Sequence, residues 1–470
     1  MSTPASGVLD RRLGPLDAAV LVVSNVIGVG IFTTPGFVAT LLPTPGAMLG
    51  VWAIGGLLAF VGSLAYAELA ARRPQAGGEY VYLRESFGGL AAFLTGWTSF
   101  VAGFSGAIAA GAVGVTAYLD RFIPGVGDST TLAAWRLGPL ALTLSPRVLV
   151  ALVIIGGLAL IHARGLGPGR IVQVSLTVVK VVVLSLFVIV GLIVGHATVP
   201  ANAAAAAPPA AAWSAWLLAL VPVMFSYAGW NAAVYVVEEV RDPARNVPLA
   251  LGLGTATVVA LYLAMNALYL RVVPREAFSG GVAVGEAAAG LLFGSAAATL
   301  FAAAAVVIIL GSLSAMTLAG PRVYFAMARD GAFFPAAGRV HPRHRTPAVA
   351  ILAQAGWSAL LVVSGTFEQL LTYTGFSVIL FSALAVLSLF IVRRRGEKAT
   401  TFRTWGYPWA PALFCLVSLA IVVNAIVQAP GPAFAGLGVM AAGIPLYWWT
   451  RSRHEAASTK TAPVQGVGPA

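Results

Sequence analysis

Twelve apolar runs leave this chain few ways to fold. They cover 16–41, 47–71, 88–119, 147–163, 170–195, 212–240, 247–271, 287–328, 347–364, 366–392, 408–428 and 433–450, and most reach the roughly 20 residues that a helix needs to cross a hydrocarbon core. Strands of a transmembrane barrel are about 10 residues long and alternate in polarity. These runs are longer and apolar on every face, so the reading is an all-α polytopic membrane protein. Only 9% of the chain is charged and 59% is apolar, against roughly 25% charged in soluble domains. A net charge of +12 suits nucleic acid only when the cations cluster on a solvated face. Here they punctuate apolar runs, so no nucleic-acid partner is expected and the lipid bilayer is the surrounding partner. A single cysteine, Cys415, excludes a disulfide framework and thiolate metal sites. Residues 1–15 have no apolar stretch followed by a small-residue cleavage site, so the first span is expected to be retained.

The basic residues set the expected orientation. With spans alternating sides, 22 of the 28 Lys and Arg collect on one side, including Arg72, Arg73, Arg84, Arg241, Arg245, Arg329 and Arg393 to Arg395. Five fall on the other: Arg121, Arg136, Arg147, Arg271 and Arg275. Positive charge marks the cytoplasmic side, so both termini are expected there, in a multi-pass protein of a bacterial inner (plasma) membrane. The spans of 16–195 overlay those of 212–392, with 16 falling on 212 and 170 on 366. Five is odd, so the second set enters from the opposite side, as in an inverted repeat. The organisation is then a cytoplasmic tail 1–15, repeats 16–195 and 212–392, two further helices in 408–450 and a disordered cytoplasmic tail 451–470. GxxxG-like spacings are too frequent among 52 glycines to mark an oligomeric interface.

The first span of each set is interrupted by glycine among polar residues. One reads Asn25-Val26-Ile27-Gly28-Val29-Gly30-Ile31-Phe32, the other Phe225-Ser226-Tyr227-Ala228-Gly229-Trp230-Asn231. Glycine also serves close helix packing, but interruptions at corresponding places of two repeats point to a transporter binding site.

The motifs resemble those of the amino acid, polyamine and organocation (APC) superfamily, and within it the L-type and bacterial amino acid permeases. Gly28-Val29-Gly30-Ile31-Phe32 is similar to that family's Gly-Ser-Gly-Ile-Phe element. Ala65-Tyr66-Ala67-Glu68-Leu69, Gly77-Gly78-Glu79-Tyr80, Arg245-Asn246-Val247-Pro248, Ala328-Arg329-Asp330-Gly331 and Gly406-Tyr407-Pro408 extend the likeness over about 14–450. The resemblance implies a LeuT-like fold of 12 helices, a 5+5 inverted repeat with helices 1 and 6 discontinuous, alternating access and an amino acid held at the midplane.

An amino acid zwitterion needs donors and acceptors a few ångströms apart in a low-dielectric setting. A broken helix supplies both. Past Gly28, the free amides of Val29, Gly30 and Ile31 and the positive helix end suit the carboxylate. The carbonyls of Val26, Phe225, Ser226 and Ala228 suit the ammonium. The same assignments follow from the resemblance, which also makes Phe225 a gate over bound substrate. Val29 and Ala228 depart from the family's commoner Ser or Thr and Gly, changing the pocket's polarity and volume. Asn231 is expected to tie the unwound segment to a neighbouring helix, and Trp230 to be structural. Thr98, Ser99 and Ser105 of span 3 and Thr372, Tyr373 and Thr374 of span 10 are candidate pathway residues.

Lys180 lies ten residues beyond Arg170, hence about 15 Å into the membrane. An ionisable residue there is costly and functional by default. By resemblance, a lysine at this point takes the place of a structural sodium ion beside the break in span 1, which argues against sodium coupling. Lys180 is then either a proton-linked coupling residue or a fixed cation hydrogen-bonded to span 1 and to Ser312 or Ser314. Glu68, Glu79, Glu238 and Glu239 are expected to form interfacial ion pairs with arginines.

The reading is a secondary transporter of neutral L-amino acids, as proton symporter or exchanger, with amino acids and protons as candidate partners and no cofactor or metal. A carrier or antiporter of cationic amino acids or polyamines is the alternative, disfavoured because spans 3, 6 and 10 hold no acid in their interiors. Lys180, Lys398 and Lys460 lie outside any Gly-rich phosphate-binding context, so ATP is not expected. An intramembrane hydrolase is the remote alternative, suggested by Gly103-Phe104-Ser105-Gly106. The five histidines leave Ser105 without a placed base, and no enzyme is expected.

Overall fold

The computed structural model describes residue 11 and residues 13–137, 140–165, 169–194, 212–278, 284–364, 367–396 and 400–461. Each apolar run carries a helix. In order, span 1 is Pro15–Val26 with Gly30–Leu41, span 2 Pro45–Arg72, span 3 Gly89–Leu119, span 4 Pro146–Ala163 and span 5 Gly169–Val194. Span 6 is Trp213–Tyr227 with Ala232–Tyr235, span 7 Pro243–Val272, span 8 Ser295–Ala319 with Pro321–Arg329, and span 9 Ala348–Ser364. Span 10 is Phe367–Arg394, span 11 Trp409–Gln428, and span 12 Pro430–Ala441 with Gly443–Thr461. Among the described residues, eight helices are long and apolar enough to cross a membrane, and the bent pair of span 1 makes a ninth. The protein is an all-α polytopic membrane protein.

Local chemistry explains many boundaries. Proline opens spans 1, 2, 4, 7 and 12, where its missing N–H costs nothing. Thr44 accepts from the Ala47 amide at 3.2 Å to cap span 2. Three features differ from expectation. The run from 287 is two helices: Val284–Phe293 stands apart, and Gly294, at φ 85°, turns the chain into span 8. Residues 451–461, expected to be disordered, continue the helix that begins at Gly443, because the polar run from Arg451 holds neither Gly nor Pro to stop it; residues 462–470 lie outside the described residues. A hairpin of Ala133–Leu137 and Leu140–Leu144 between spans 3 and 4 is an addition to the helical plan.

Packing partners come in pairs that interchange the two five-span sets. Span 1 packs on spans 5 and 7 as span 6 packs on spans 10 and 2; span 3 packs on spans 9 and 10 as span 8 packs on spans 4 and 5. An aromatic core joins the elements around the breaks: Trp52 meets Tyr227 and Tyr262 edge-on, and Trp230 packs on Tyr66 with ring centroids 4.7 Å apart. Trp230 is buried there, as a structural residue would be.

Candidate functional site

Span 1 breaks between Val26 and Gly30, and its halves meet at 41°. Ile27 leaves the helical region at ψ 92°, and the second half restarts with Phe32 and Thr33 both donating to the Val29 carbonyl. The first amides of that half have no intrahelical acceptor. Two glycines make the break possible. A Cβ on Gly28 would lie 2.6 Å from Ser312 Oγ, and one on Gly30 would lie 2.7 Å from Ser226 Cα. Span 6 stays helical through Tyr227, so Phe225 and Ser226 lie inside the helix; its unwound part is Ala228 to Asn231, with Gly229 at φ 100°. The Phe225 carbonyl accepts from the Ala228 amide at 3.0 Å, which leaves it one further lone pair.

The two breaks face one cavity of about 370 Å³, lined by Val26, Gly28, Val29, Gly30, Phe225, Ser226 and Ala228, with Ser312 and Met316 of span 8 opposite. Ile31 is buried but is not part of that lining, and Asn231 lines a second cavity of about 610 Å³. Ala107, Ala228 and Met316 line both. The second cavity leads toward the arginine-rich end past Asn25, Glu79, Thr95, Thr98 and Ser99. Ser105 is buried outside both linings. The side chains of Thr372, Tyr373 and Thr374 lie outside the described residues.

The break is held by side chains behind it. Lys180 Nζ donates to the Ser24 and Ile27 carbonyls at 3.3 and 3.1 Å and to Ser24 Oγ at 3.3 Å. Its hydrogen bonds all go to span 1. Ser312 instead donates to the Asn25 carbonyl at 3.2 Å, and Ser314 pairs with His162 at 2.8 Å; among the described residues the bonds seen for Lys180 go to span 1 rather than to span 8. Tyr262 of span 7 donates to the Val26 carbonyl at 2.8 Å. That carbonyl, expected to await the ammonium, already has a donor. The sequence reading missed Tyr262; a hydroxyl in the interior of a span was the available signal.

The acidic residues divide. Glu68 pairs with Arg72 and Arg393 at 2.8 and 2.6 Å, Glu239 with Arg322 at 3.1 Å and Glu238 with Arg329 at 3.4 Å, all as expected. The arginine-rich end is further closed by Leu13, which exchanges backbone bonds with Glu239 and Arg241. Tyr80 and Arg84 both bond Asp330. Glu79 breaks the pattern. Among the described residues it has no arginine partner, and it accepts from Tyr66 at 2.5 Å, Asn231 at 2.8 Å and Tyr235 at 3.1 Å. The short helix Glu79–Phe87 turns the carboxylate inward rather than toward the interface. Burial pushes its carboxyl up from the ordinary value, against the three hydrogen bonds, which lower it. Asn231 does tie the unwound segment to a neighbouring element, through Glu79.

The amino acid permease family model matches residues 13–449. The serine/threonine exchanger SteT of Bacillus subtilis (strain 168) is 28% identical over 460 residues, covering 96% of this chain and 99% of that protein. The mouse b(0,+)-type amino acid transporter 1 is 27% identical over 430 residues, 90% of this chain and 84% of that one. The mouse Asc-type amino acid transporter 1 is 27% identical over 457 residues, 94% and 81% respectively.

Proposed function

The chain belongs to the amino acid permease family, and on that footing we propose that it exchanges small neutral L-amino acids across the plasma membrane by alternating access. It is a transporter, not an enzyme. The observation that carries the proposal is the single cavity shared by the breaks in spans 1 and 6. There the amides of Val29 and Gly30, with that of Ile31 behind them in the same turn, receive the substrate carboxylate at a helix start. The ammonium sits against Ser226 and Ala228, and Phe225 closes over the substrate. The interchange of packing partners between the two five-span sets supports the inverted repeat on which alternating access rests. The lining combines Gly28, Gly30, Gly111, Ala107 and Ala228 with Ser226 and Ser312, and the larger Phe225, Ile309, Leu313 and Met316 narrow the space left, which suits small side chains.

Lys180 favours exchange over proton symport. Its three hydrogen bonds to span 1 suit a fixed cation holding the break rather than a group that must shed its proton each cycle. The 28% identical relative is named as an exchanger of serine and threonine, which agrees. With the arginine-rich end cytoplasmic, both termini face the cytoplasm. The competing reading, a carrier of cationic amino acids or polyamines, has one observation in its favour, Glu79 in the second cavity. Uptake into liposomes holding the purified protein separates the two. Serine, alanine or threonine moving and competing with one another is the expected result; arginine or putrescine moving while these neither move nor compete overturns the proposal.

A further inference from the structure

Glu79 is the one charged side chain lining either cavity among the described residues. Of the other buried acids, Glu68 and Glu239 each hold an arginine, and Asp17 accepts from the Gly14 amide at 2.7 Å at the start of span 1. An ionised carboxylate taken out of water without a counter-charge is costly, and the three neutral donors around Glu79 leave its charge uncompensated. Two more acceptors line the same cavity. Asn25 is fully buried; its amide nitrogen donates to the Leu21 carbonyl at 3.0 Å, and its Oδ1 has no hydrogen-bond partner. Thr98 is 2% exposed, and its Oγ1 likewise has no partner. The lining of one cavity thus holds two oxygens without a hydrogen-bond partner and a carboxylate without a counter-charge. A primary ammonium brings three N–H donors, no acceptor and one positive charge, which matches that set. A carboxylate or a phosphate does not.

We propose that Asn25, Thr98 and Glu79 form a transit subsite for a primary ammonium group, between the cavity at the helix breaks and the arginine-rich end. The α-ammonium of the amino acid is the natural occupant, since the two cavities share Ala107, Ala228 and Met316. The subsite rests on the transport reading and adds a step to it: a substrate leaving toward the arginine-rich end exchanges the acceptors at the breaks for Glu79 before reaching water. Asn231 and Tyr235, just past the break in span 6, hold the Glu79 carboxylate. Movement of span 6 therefore moves the subsite.

Thr98→Val and Glu79→Gln test the assignment. Thr98→Val removes a hydroxyl without breaking any hydrogen bond that holds the fold, and Glu79→Gln keeps the shape of the side chain. In vesicles of known orientation, the half-saturating concentration for serine at the arginine-rich face should rise about tenfold in Glu79→Gln and about threefold in Thr98→Val, the scale of one charged and one neutral hydrogen bond. The opposite face should change less than about twofold, by the same scale. Propylammonium chloride, which lacks a carboxylate, should raise the melting temperature of the solubilised wild type relative to potassium chloride and leave Glu79→Gln unmoved. That readout needs no transport, so it stands even if the protein fails to exchange amino acids. Equal changes at both faces, or wild-type behaviour of both variants at the arginine-rich face, would mean that the oxygens hold only water and would overturn the subsite. So would propylammonium acting alike on wild type and Glu79→Gln.

Discussion

Replacing Lys180 by methionine keeps an unbranched side chain one atom shorter and removes the three hydrogen bonds to span 1. The Ile27 carbonyl loses most. The helix ends at Val26, and the Lys180 bond at 3.1 Å is the one that satisfies it across the break. Orphaning a buried carbonyl costs about 1–3 kcal/mol. Ser24 loses less, because its hydroxyl still donates to the Gly311 carbonyl at 3.3 Å, and bonds between membrane helices average only about 0.6 kcal/mol. Together these put about 2 kcal/mol on the geometry that binds substrate, or about thirtyfold on exchange. Ser24→Ala removes one acceptor of the three and the bond to the Gly311 carbonyl, and should cost less than about eightfold on the same scale. Counterflow of radiolabelled serine in liposomes loaded with equal amounts of monodisperse protein reads both. Lys180→Met exchanging within threefold of wild type, or Ser24→Ala falling as far as Lys180→Met, would refute the view that Lys180 acts by holding the break.

Gly30→Ala should reduce exchange at least about fivefold, the effect of about 1–3 kcal/mol of overpacking, because its Cβ would sit 2.7 Å from the Ser226 backbone. Gly252→Ala, whose Cβ meets nothing within 4 Å, should behave as wild type in the same counterflow assay. Tyr262→Phe removes the 2.8 Å bond to the Val26 carbonyl and should cost about 1 kcal/mol, about fivefold in the apparent serine affinity measured by competition. Glu68→Gln leaves Arg72 and Arg393 without their carboxylate and should destabilise the fold by about 3 kcal/mol, read as a lower melting temperature in detergent with the serine affinity of the surviving protein unchanged.

Much of the fold was legible because a bilayer permits few solutions: backbone groups must be satisfied within each segment, so a long apolar run has to be a helix. Span 8 was misjudged at its start for the same reason. The helix Val284–Phe293 is as apolar as the span itself, and only Phe293-Gly294-Ser295 marks the turn between them. The breaks were legible too, since Gly28 and Gly229 interrupt helices that their neighbours would extend. Contacts made through the fold were harder to read. Glu79 looked interfacial because it lies between two spans, and nothing in the local sequence says that its short helix points inward. Tyr262 and Thr98 are single hydroxyls in apolar helices, and their role depends on which carbonyl or cavity the packing puts beside them. The Asn25 amide could be placed at the break, but not its split use, with nitrogen committed to Leu21 and oxygen left open.

The most direct test of the central claim is serine counterflow into liposomes, with amino acid preloaded or absent inside, and with the outside medium acidified or matched to the lumen. Exchange through a site held by a fixed Lys180 predicts uptake that requires internal amino acid and does not respond to the proton gradient. Concentrative uptake into empty liposomes driven by the gradient alone would contradict it and make the protein a proton symporter.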